Sequence, residues 1–346
     1  MFSGRSEVRQ LSSHSILVTG AAGFIGSRVS DLLLSDGYHV IGVDNLNDAY
    51  DVRLKKWRLD QLLQRSHFEF HHLDIVDRDA LRGAVADWCR RNTASLDGSI
   101  DAVIHLAARA GVRQSIENPW IYVDSNITGT LNVLELCRTA GVPKIVLAST
   151  SSLYGPNAPR PFREDGNTDH PLSPYAATKK GSEALCHSYH HLYGIDVTVL
   201  RYFTVYGPAG RPDMALFRFV QRISEGKSIT IYGDGSQERD FTFVDDIARG
   251  TVAALKPLGY EVINLGSDEP IPLKHALNLL EDLLDRKAIT VNEPRHPADM
   301  LRTWADVTKA HSLLGWHSQT SFRDGLGHLV DWYEQNRGWA REVNTE

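Results

Sequence analysis

The chain has 346 residues, of which 42% are hydrophobic and 23% are charged, as in a globular protein of one large domain or two ordinary ones. No apolar run approaches the ~20 residues that cross a bilayer, and a formal net charge of −6 argues against broad nucleic-acid binding. Residues 1–13 are polar and lack the apolar core of a signal peptide, so we expect a flexible tail. The three cysteines show neither metal-ligand nor disulfide spacing, so we expect no metal and a reducing, cytoplasmic location.

A glycine-rich turn follows the first predicted strand. Ser15–Thr19 is short, apolar and rich in β-branched residues, which favours a buried parallel strand, and the segment Gly20–Gly26 comes next. An amphipathic helix is predicted over Phe24–Ser35. In this order the glycines allow the backbone to approach a pyrophosphate, which the helix N-terminus attracts. The residues assigned to this dinucleotide site are Gly20, Gly23, Phe24 and Ile25.

The second predicted strand ends in Asp44 and Asn45. A carboxylate at this position suits hydrogen bonds to both adenosine ribose hydroxyls and repels a 2′-phosphate, so it favours NAD over NADP. The alternative is that Asp44 only caps a loop. The next segment, 47–65, carries charges among spaced leucines, which predicts a surface helix without a chemical role.

Two further strands are predicted over 68–73 and 102–106. In this topology the residues that follow the third strand lie near the adenine, and small residues after the fourth let the backbone pass close to a cofactor. The residues assigned to the cofactor here are Asp74, Ile75, Leu106, Ala107 and Ala108. His105 lies inside an apolar strand and is predicted to be a hydrogen-bonded core histidine.

A long helix is predicted over 119–140, and a fifth strand over 144–148. Asn126, polar within that helix, could reach the nicotinamide ribose or join neighbouring elements. The regular alternation of strands and helices predicts an α/β fold, a Rossmann-type doubly wound parallel sheet with ligands at the carboxyl ends of its strands.

Hydroxyl side chains follow the fifth strand, and a tyrosine–lysine pair follows them. The hydroxyl residues are Ser149–Ser152, and Tyr175 and Lys179 stand one turn apart on a predicted helix. A nearby ammonium lowers the pKa of a phenol from about 10, so the pair could act as a general base. Taken alone, such a pair is common on a solvated helix face.

These motifs together resemble the extended short-chain dehydrogenase/reductases over nearly the whole chain. The resemblance implies that Thr150 and Tyr175 hold the reacting hydroxyl, while Lys179 binds the nicotinamide ribose and tunes the tyrosine. It also assigns Ser149 and Tyr202 to the cofactor.

Motifs of the second half narrow the resemblance to the nucleotide-sugar epimerases, most closely the UDP-glucuronate 4-epimerases. They are the segments 201–208, 210–217, 231–235, 239–243 and 245–247, with Asp299. The resemblance assigns Arg239 to the diphosphate, Asp299 to the uridine ribose, and Met214 and Phe217 to the neighbourhood of the uridine. The complete set of implied substrate residues is Arg113, Thr150, Ser151, Ser152, Thr204, Arg211, Met214, Phe217, Tyr232, Arg239 and Asp299.

Departures from related enzymes bear on the substrate. Galactose-type epimerases commonly have Asn at the position of Thr204 and Lys at that of Ala110, which favours a hexuronate here. His296 replaces an arginine that many relatives have at a diphosphate contact. For Arg239 alone, a surface salt bridge with Glu238 or Asp240 is the alternative.

The resemblance implies C4 epimerisation between UDP-glucuronate and UDP-galacturonate through a transient 4-keto sugar, with hydride stored on tightly bound NAD. The alternatives are a UDP-glucuronate decarboxylase, which is a lyase, and a UDP-glucose 4-epimerase. A 4,6-dehydratase usually has Asp and Glu where this chain has Ser151 and Ser152. A non-catalytic NAD sensor would not need the Thr150, Tyr175 and Lys179 set.

The domain organisation is also an expectation. We predict an NAD-binding domain from 14–200 and 244–265, and a smaller C-terminal α/β domain for the UDP-sugar from 201–243 and 266–346. Many relatives form homodimers through the helices around 120–138 and 175–192. Leu185, Tyr189 and Leu192 could form an apolar patch there.

Overall fold

The computed structural model describes residues 14–96, 98–156, 158–294 and 300–345. Within these ranges, none of the helices combines the length and apolar character that a membrane span requires. The strands in chain order are β1 Ser15–Thr19, β2 His39–Asp44, β3 Phe68–His72, β4 Ala102–His105, β5 Lys144–Thr150, β6 Asp196–Tyr202, β7 Thr204–Tyr206, β8 Ser228–Tyr232, β9 Glu238–Phe243, β10 Tyr260–Leu265, β11 Pro270–Pro272 and β12 Ile289–Glu293. The helices are α1 Phe24–Ser35, α2 Val52–Leu63, α3 Arg78–Leu96, α4 Val112–Glu117, α5 Trp120–Tyr122, α6 Gly129–Ala140, α7 Pro174–Tyr193, α8 Ala215–Ser224, α9 Val244–Ala253, α10 Leu273–Leu284, α11 Thr308–Leu314 and α12 Phe322–Ala340.

Seven parallel strands form the larger sheet, in the order β10-β6-β5-β4-β1-β2-β3. Helices cover both faces, so the inner strands are buried on both sides and are rich in Val, Ile and Leu, while the edge strand β3 is partly exposed. The register pairs Thr19 with Val43 and His105, and Thr150 with Tyr202, so these strand ends meet at one edge. The predicted Rossmann-type fold is confirmed.

A second region contains two small sheets, β11-β9-β7 and β12-β8. Its core lies between these strands and helices α8, α10 and α12, with Phe217, Trp332 and Tyr333 among its buried side chains. Because this region follows the long β6 strand, it faces the carboxyl edge of the larger sheet across a cleft.

Two details differ from the sequence-based predictions. The helix expected over 119–140 is interrupted by a π-helical turn, Val123–Thr128, that separates α5 from α6. Ala310 and Trp316, predicted to belong to the second domain, pack in a core cluster of the larger sheet. The indole of Trp316 donates to the carbonyl oxygen of Asp246, 2.8 Å away, which anchors this returning segment beside α9.

The face formed by α5, α6 and α7 carries exposed apolar side chains. They are Trp120, Val123, Leu131, Leu172, Leu192 and Tyr193. Of the patch predicted from sequence, only Leu192 is exposed. Leu185 is partly buried, and Tyr189 is 9% exposed because its ring packs inward and its hydroxyl donates to Glu135 at 2.5 Å.

Candidate active site

A cavity of about 1090 Å³ lies between the carboxyl edge of the larger sheet and the second region. It is lined by all but one of the described residues that the sequence assigned to cofactor or substrate. The predicted cofactor residues in its wall are Gly20, Gly23, Phe24, Ile25, Asp44, Asn45, Asp74, Ile75, Leu106, Ala107, Ala108, Ser149, Tyr175, Lys179 and Tyr202. The predicted substrate residues are Arg113, Thr150, Ser151, Ser152, Thr204, Arg211, Met214, Phe217, Tyr232 and Arg239. Asp299 and His296 lie outside the described residues.

Among the described residues predicted to bind cofactor or substrate, Asn126 is the one that does not line the cavity. Its side-chain oxygen accepts from the backbone N–H of Arg109 at 2.8 Å, and its amide nitrogen donates to the Arg109 carbonyl oxygen and to Thr178, at 3.0 and 2.9 Å. The amide therefore joins the loop after β4 to α7, and a contact of Asn126 with the cofactor stays a prediction. This is the second of the two roles considered for it.

The glycine turn forms a close backbone cradle. Gly20 has φ +74°, and a Cβ there would lie 2.7 Å from the backbone nitrogen of Ala107. A Cβ on Gly23 would lie 2.9 Å from the Gly20 carbonyl oxygen. Gly23 also caps α1 without a side-chain hydrogen bond, which leaves the first helix amides facing the cavity. The cradle thus fits the pyrophosphate of a dinucleotide, for which side chains would leave no room.

Asp44 and Asp74 lie at neighbouring strand ends. Asp44 accepts from the backbone N–H groups of Ala22 and Leu46 at 3.2 and 2.8 Å, so it caps the turn as well as lining the cavity. The Asn45 amide donates to Asp74 at 2.7 Å. These bonds orient two carboxylates before any ligand contact is made.

Helix α2 contributes residues that sequence reasoning missed. Lys55 is 5% exposed, lines the cavity and lies 3.7 Å from an Asp44 oxygen, while Arg58 is 3% exposed. Burial lowers the pKa of both groups. The predicted surface helix is present, with Arg53, Lys56 and Asp60 exposed. Its other face was missed: Leu54, Lys55 and Arg58 share that face, and their spacing was a signal that these cations accompany the buried leucines.

The three predicted catalytic residues meet where β5 ends and α7 begins. Ser173 caps α7 by accepting from the Ala176 N–H at 3.2 Å, which places Tyr175 in the first turn. Tyr175 shares a hydrogen bond with Thr150, whose hydroxyl also accepts from the Ser152 N–H at 3.1 Å. A phenol and a hydroxyl are thus held together at the cavity wall.

The pKa of Tyr175 does not follow the sequence-based expectation. Burial raises it, against the opposing effects of the Thr150 hydrogen bond and the Arg211 charge. Lys179 donates instead to the Ala148 carbonyl oxygen at 2.9 Å, and burial lowers its own pKa to about 8, partly offset by Glu183. The expected lowering of the Tyr175 pKa by Lys179 is wrong for the protein itself, because Lys179 does not contribute to the shift and desolvation of the phenol dominates it.

A buried ionic network lies behind Lys179. The guanidinium of Arg201 pairs with both carboxylate oxygens of Glu183, at 3.0 and 2.9 Å, and each residue is at most 4% exposed. The Ser149 hydroxyl donates to the same carboxylate at 2.6 Å. Tyr154 accepts from Arg201 at 3.0 Å, and burial raises the pKa of its phenol to about 12.

Arginines dominate the opposite wall. Arg211 binds the carboxylate of Asp213 with two nitrogens, at 3.1 and 2.6 Å, and its charge reaches Tyr175. Arg239 donates to the backbone oxygen of Glu238 at 2.9 Å while lining the cavity. Asp240 is fully buried, and Glu238 pairs with Arg302.

A stacked pair closes one end of the cavity. The guanidinium of Arg113 lies 4.5 Å from the ring centroid of Tyr232, so a side chain from α4 meets one from the end of β8. Since α4 belongs to the larger sheet's loops and β8 to the second region, this contact spans the cleft.

The prediction for His105 is confirmed. Its ring contacts the hydroxyls of Thr19 and Thr130 at 2.7 and 3.1 Å, and burial lowers its pKa to about 3. Within the described ranges, no group of three or more His, Cys, Asp or Glu side chains could hold a metal ion. The three cysteines are free thiols.

A seven-stranded sheet, a glycine cradle and a tyrosine–lysine pair beside a hydroxyl together define a nucleotide-dependent redox enzyme. The chain belongs to the NAD-dependent epimerase/dehydratase family, whose model matches residues 16–266. It is therefore an NAD-dependent enzyme.

More specific relatives act on UDP-sugars. The chain is 57% identical over 321 residues to the UDP-glucuronate 4-epimerase of Thermodesulfobacterium geofontis, covering 92% of this chain and 96% of that protein. The crystal structure of UDP-glucuronic acid 4-epimerase from Bacillus cereus in complex with UDP-glucuronic acid and NAD is 40% identical, with a TM-score of 0.84 over 93% of this chain and 99% of that one. UDP-glucose 4-epimerase from Thermotoga maritima with UDP-glucose is 32% identical, with a TM-score of 0.82 over 93% and 99% of the chains.

Proposed function

We propose that this enzyme interconverts UDP-glucuronate and UDP-galacturonate by C4 epimerisation. The observation that carries the proposal is the cavity itself, which Tyr175 lines together with hydroxyls and a guanidinium suited to a sugar carboxylate. Those groups are Thr150, Ser151, Ser152, Thr204 and Arg211. The similarity to UDP-glucuronate 4-epimerases supports the same reaction.

Residues of this chain would carry out the proton transfer and hold the reacting hydroxyl. When bound, NAD would supply the hydride chemistry that inverts C4 of the sugar. Tyr175 takes the proton of the C4 hydroxyl, while Thr150 holds the same oxygen. The charge of Arg211 favours the phenolate that this transfer requires.

The sugar must turn over between the two hydride transfers. Arg239, Met214, Phe217 and Tyr232 would anchor the UDP, with Asp299 at the uridine ribose, while the 4-keto sugar rotates in the cavity. An arginine matches the diphosphate because its N–H groups bind two oxygens at once. The anchored nucleotide keeps the reactive ketone from leaving.

The 4-keto intermediate carries a hazard, since its ketone is β to the carboxylate. Carbon dioxide leaves if the C5–C6 bond aligns with the carbonyl π system. Ser151, Ser152 and Thr204 would hold the carboxylate out of that alignment with neutral hydroxyls, which bind it without stabilising the electrons of a breaking bond. This requirement separates an epimerase from a decarboxylase.

Product analysis tests the proposal. We expect purified protein given UDP-glucuronate to release UDP-galacturonate as the main product, with little UDP-pentose. The variants Ser152→Ala and Thr204→Ala should raise UDP-pentose release because they loosen the carboxylate. A wild-type protein that releases mainly UDP-pentose would be a decarboxylase, and unchanged partition in both variants would remove these residues from the carboxylate site.

We also propose how the cofactor is held. Gly20, Gly23 and the α1 amides would bind the pyrophosphate, Asp44 the adenosine ribose, and Lys179 the nicotinamide ribose. Because the hydride returns in each turnover, NAD should remain with the protein through purification. We assign 14–200 and 244–265 to the NAD-binding domain, joined by the segment around 307–316 that packs on the same sheet.

We propose a homodimer formed through the α5–α6 and α7 faces. Trp120 and Leu192, 76% and 64% exposed, support a second copy of the chain as the partner, because apolar side chains of this size favour burial. Light scattering should give twice the chain mass, and Trp120→Asp with Leu192→Glu should give a monomer. The free thiols support a reducing cytoplasm as the location.

A further inference from the structure

Three cationic side chains surround Tyr50 at the cavity wall. Tyr50 lies in the loop between β2 and α2, and its ring centroid is 5.4 Å from the Lys55 ammonium, 5.5 Å from the Arg58 guanidinium and 6.0 Å from the Arg211 guanidinium. Lys55 is near Asp44, and Arg211 is paired with Asp213. The cluster therefore connects the cofactor side of the cavity to its arginine-lined wall.

Arg58 holds the tyrosine from behind. Both terminal nitrogens of Arg58 donate to the Tyr50 hydroxyl oxygen, at 3.2 and 3.0 Å, and its third donor reaches the carbonyl oxygen of Leu54 at 3.0 Å. Among the described residues, no carboxylate forms an ion pair with this buried guanidinium. Because Arg58 is fixed by its own helix and donates twice to the Tyr50 hydroxyl, it restricts the position of the Tyr50 ring.

The ring held in this way faces Arg211. That guanidinium also donates to the Ala110 carbonyl oxygen at 3.3 Å, and its charge acts on Tyr50 and on Tyr175. Arg211 thus stands between a supporting tyrosine and the proposed catalytic one. Arg58 and Arg211 carry like charges that repel each other, and both guanidinium groups lie within 6.0 Å of the Tyr50 ring centroid.

We infer that Tyr50, held by Arg58, is a positioning residue for Arg211 and sets how firmly the sugar carboxylate is held. The inference rests on the proposed epimerase function. An aromatic face attracts a guanidinium, so the Tyr50 ring adds a second restraint on Arg211 beside its ion pair with Asp213. The fixed position of Arg211 determines whether the 4-keto sugar turns over intact or loses its carboxylate.

The competing reaction provides the readout. When the C5–C6 bond breaks, its electron pair moves into the C4 carbonyl to form an enolate, carbon dioxide leaves, and C5 then takes a proton from the protonated phenol or water to give a UDP-4-keto-pentose. Return to C4 of the hydride that was removed from it, with a proton to the C4 oxygen, gives UDP-pentose. The ratio of UDP-pentose to UDP-galacturonate therefore reports how well the carboxylate is held. A residue with only a structural role would lower stability without changing that ratio.

The experiment uses the full-length protein with UDP-glucuronate as substrate. Tyr50→Leu removes the aromatic ring, whereas Tyr50→Phe and Arg58→Met remove only the hydrogen bonds between Tyr50 and Arg58. Arg211→Met shows the effect of losing the Arg211 charge altogether. Lys56→Met is the matched control, because Lys56 is exposed on the same helix. Product ratios are measured beside the urea unfolding midpoint of each variant.

We expect Tyr50→Leu to raise the pentose-to-galacturonate ratio about fivefold, the scale of one lost cation–π contact. Tyr50→Phe and Arg58→Met should give smaller rises, and Lys56→Met none. The double variant of Tyr50→Leu and Arg211→Met should match Arg211→Met alone, because the two residues act together.

Two results overturn the inference. In the first, Arg211→Met raises the ratio while Tyr50→Phe and Arg58→Met both keep the wild-type ratio, and these two conservative variants decide the matter if Tyr50→Leu does not fold. In the second, the effects of Tyr50→Leu and Arg211→Met simply multiply. If the wild-type enzyme forms no UDP-galacturonate, the proposed epimerase function is wrong. That result is distinguishable from a failure of the inference about Tyr50, in which the wild-type enzyme still forms UDP-galacturonate.

Discussion

The two sides of the cavity hold their ligands by different means. The seven-stranded side presents backbone and small residues, exemplified by Gly20 and Ala107, at strand ends whose register is set by hydrogen bonds. The second region presents long side chains, Arg211, Arg239 and Tyr232, from short strands and loops. The comparison teaches that one wall of the cavity is built from backbone fixed by the sheet, while the other is built from side chains that can vary without altering the fold.

Breaking the buried Glu183–Arg201 ion pair on the seven-stranded side should have the largest effect on the free energy of unfolding. Glu183→Gln leaves the Arg201 guanidinium buried without its carboxylate, so we expect a loss of about 3–5 kcal/mol. The midpoint of urea unfolding measures it.

The matched change is Glu342→Gln, which removes an exposed partner of Arg53 at the edge of the second region. An exposed pair contributes less than about 1 kcal/mol. Equal shifts of the urea unfolding midpoint in Glu183→Gln and Glu342→Gln would contradict the contrast between the rigid seven-stranded side and the adaptable second region.

The glycine cradle should tolerate no side chain. A Cβ on Gly26 would overlap the carbonyl oxygen of Gly20, so Gly26→Ala should lose about 1–3 kcal/mol and yield protein without bound NAD. Gly83→Ala is the control, since nothing lies within 4 Å of that Cβ in α3, and it should be neutral or stabilising by up to about 1 kcal/mol. Absorbance of nucleotide released from each denatured protein measures the retained cofactor. Full NAD content in Gly26→Ala would disprove the cradle.

The buried histidine makes the larger sheet sensitive to acid. The folded pKa of His105 is about 3, well below the ordinary 6.5, so the unfolded chain binds a proton that the folded one refuses. Stability should be complete above pH 6.5 and fall towards pH 3, by about 2 kcal/mol at pH 5.

His105→Gln should flatten this part of the pH profile, measured as urea midpoints between pH 7 and pH 4. His191→Gln, at an exposed position on α7, should leave the profile unchanged. The same slope with and without His105 would show that other groups cause the acid loss.

Loss of the contact between Arg113 and Tyr232 across the cleft should have the smallest effect, a change in the KM for the UDP-sugar. Tyr232→Leu removes the ring under Arg113 and should raise the KM for the UDP-sugar about two- to fivefold, the scale of an exposed cation–π contact, with kcat unchanged. Tyr232→Phe keeps the ring and should keep the wild-type KM. Steady-state kinetics separate the two constants, and a fall in kcat with constant KM would assign Tyr232 to the chemistry instead.

Sequence predicted the backbone-built side well because its signals are local. Strand, glycine turn and helix follow one another between Ser15 and Ser35, so one short window defines the cradle. Tyr175 and Lys179 are four residues apart, and the helix alone puts them on one face. Parallel pairing then brings the strand ends together.

What sequence missed depends on distant contacts. Arg58 and Lys55 look like charges of a surface helix until the second region packs against α2, with Leu54 in its core. The π turn that interrupts the helix near Asn126 reflects bonds to Arg109 and Thr178 on other elements. Desolvation, which raises the pKa of Tyr175, likewise depends on the assembled cavity.

The most direct measurement is the rate of epimer interconversion by the Tyr175→Phe variant with UDP-glucuronate. A proton acceptor at this position contributes about 10²- to 10⁴-fold, so we predict a rate lower by that factor in a folded protein that still retains NAD. Interconversion at the wild-type rate would contradict the assignment of Tyr175 as the base and the mechanism that depends on it.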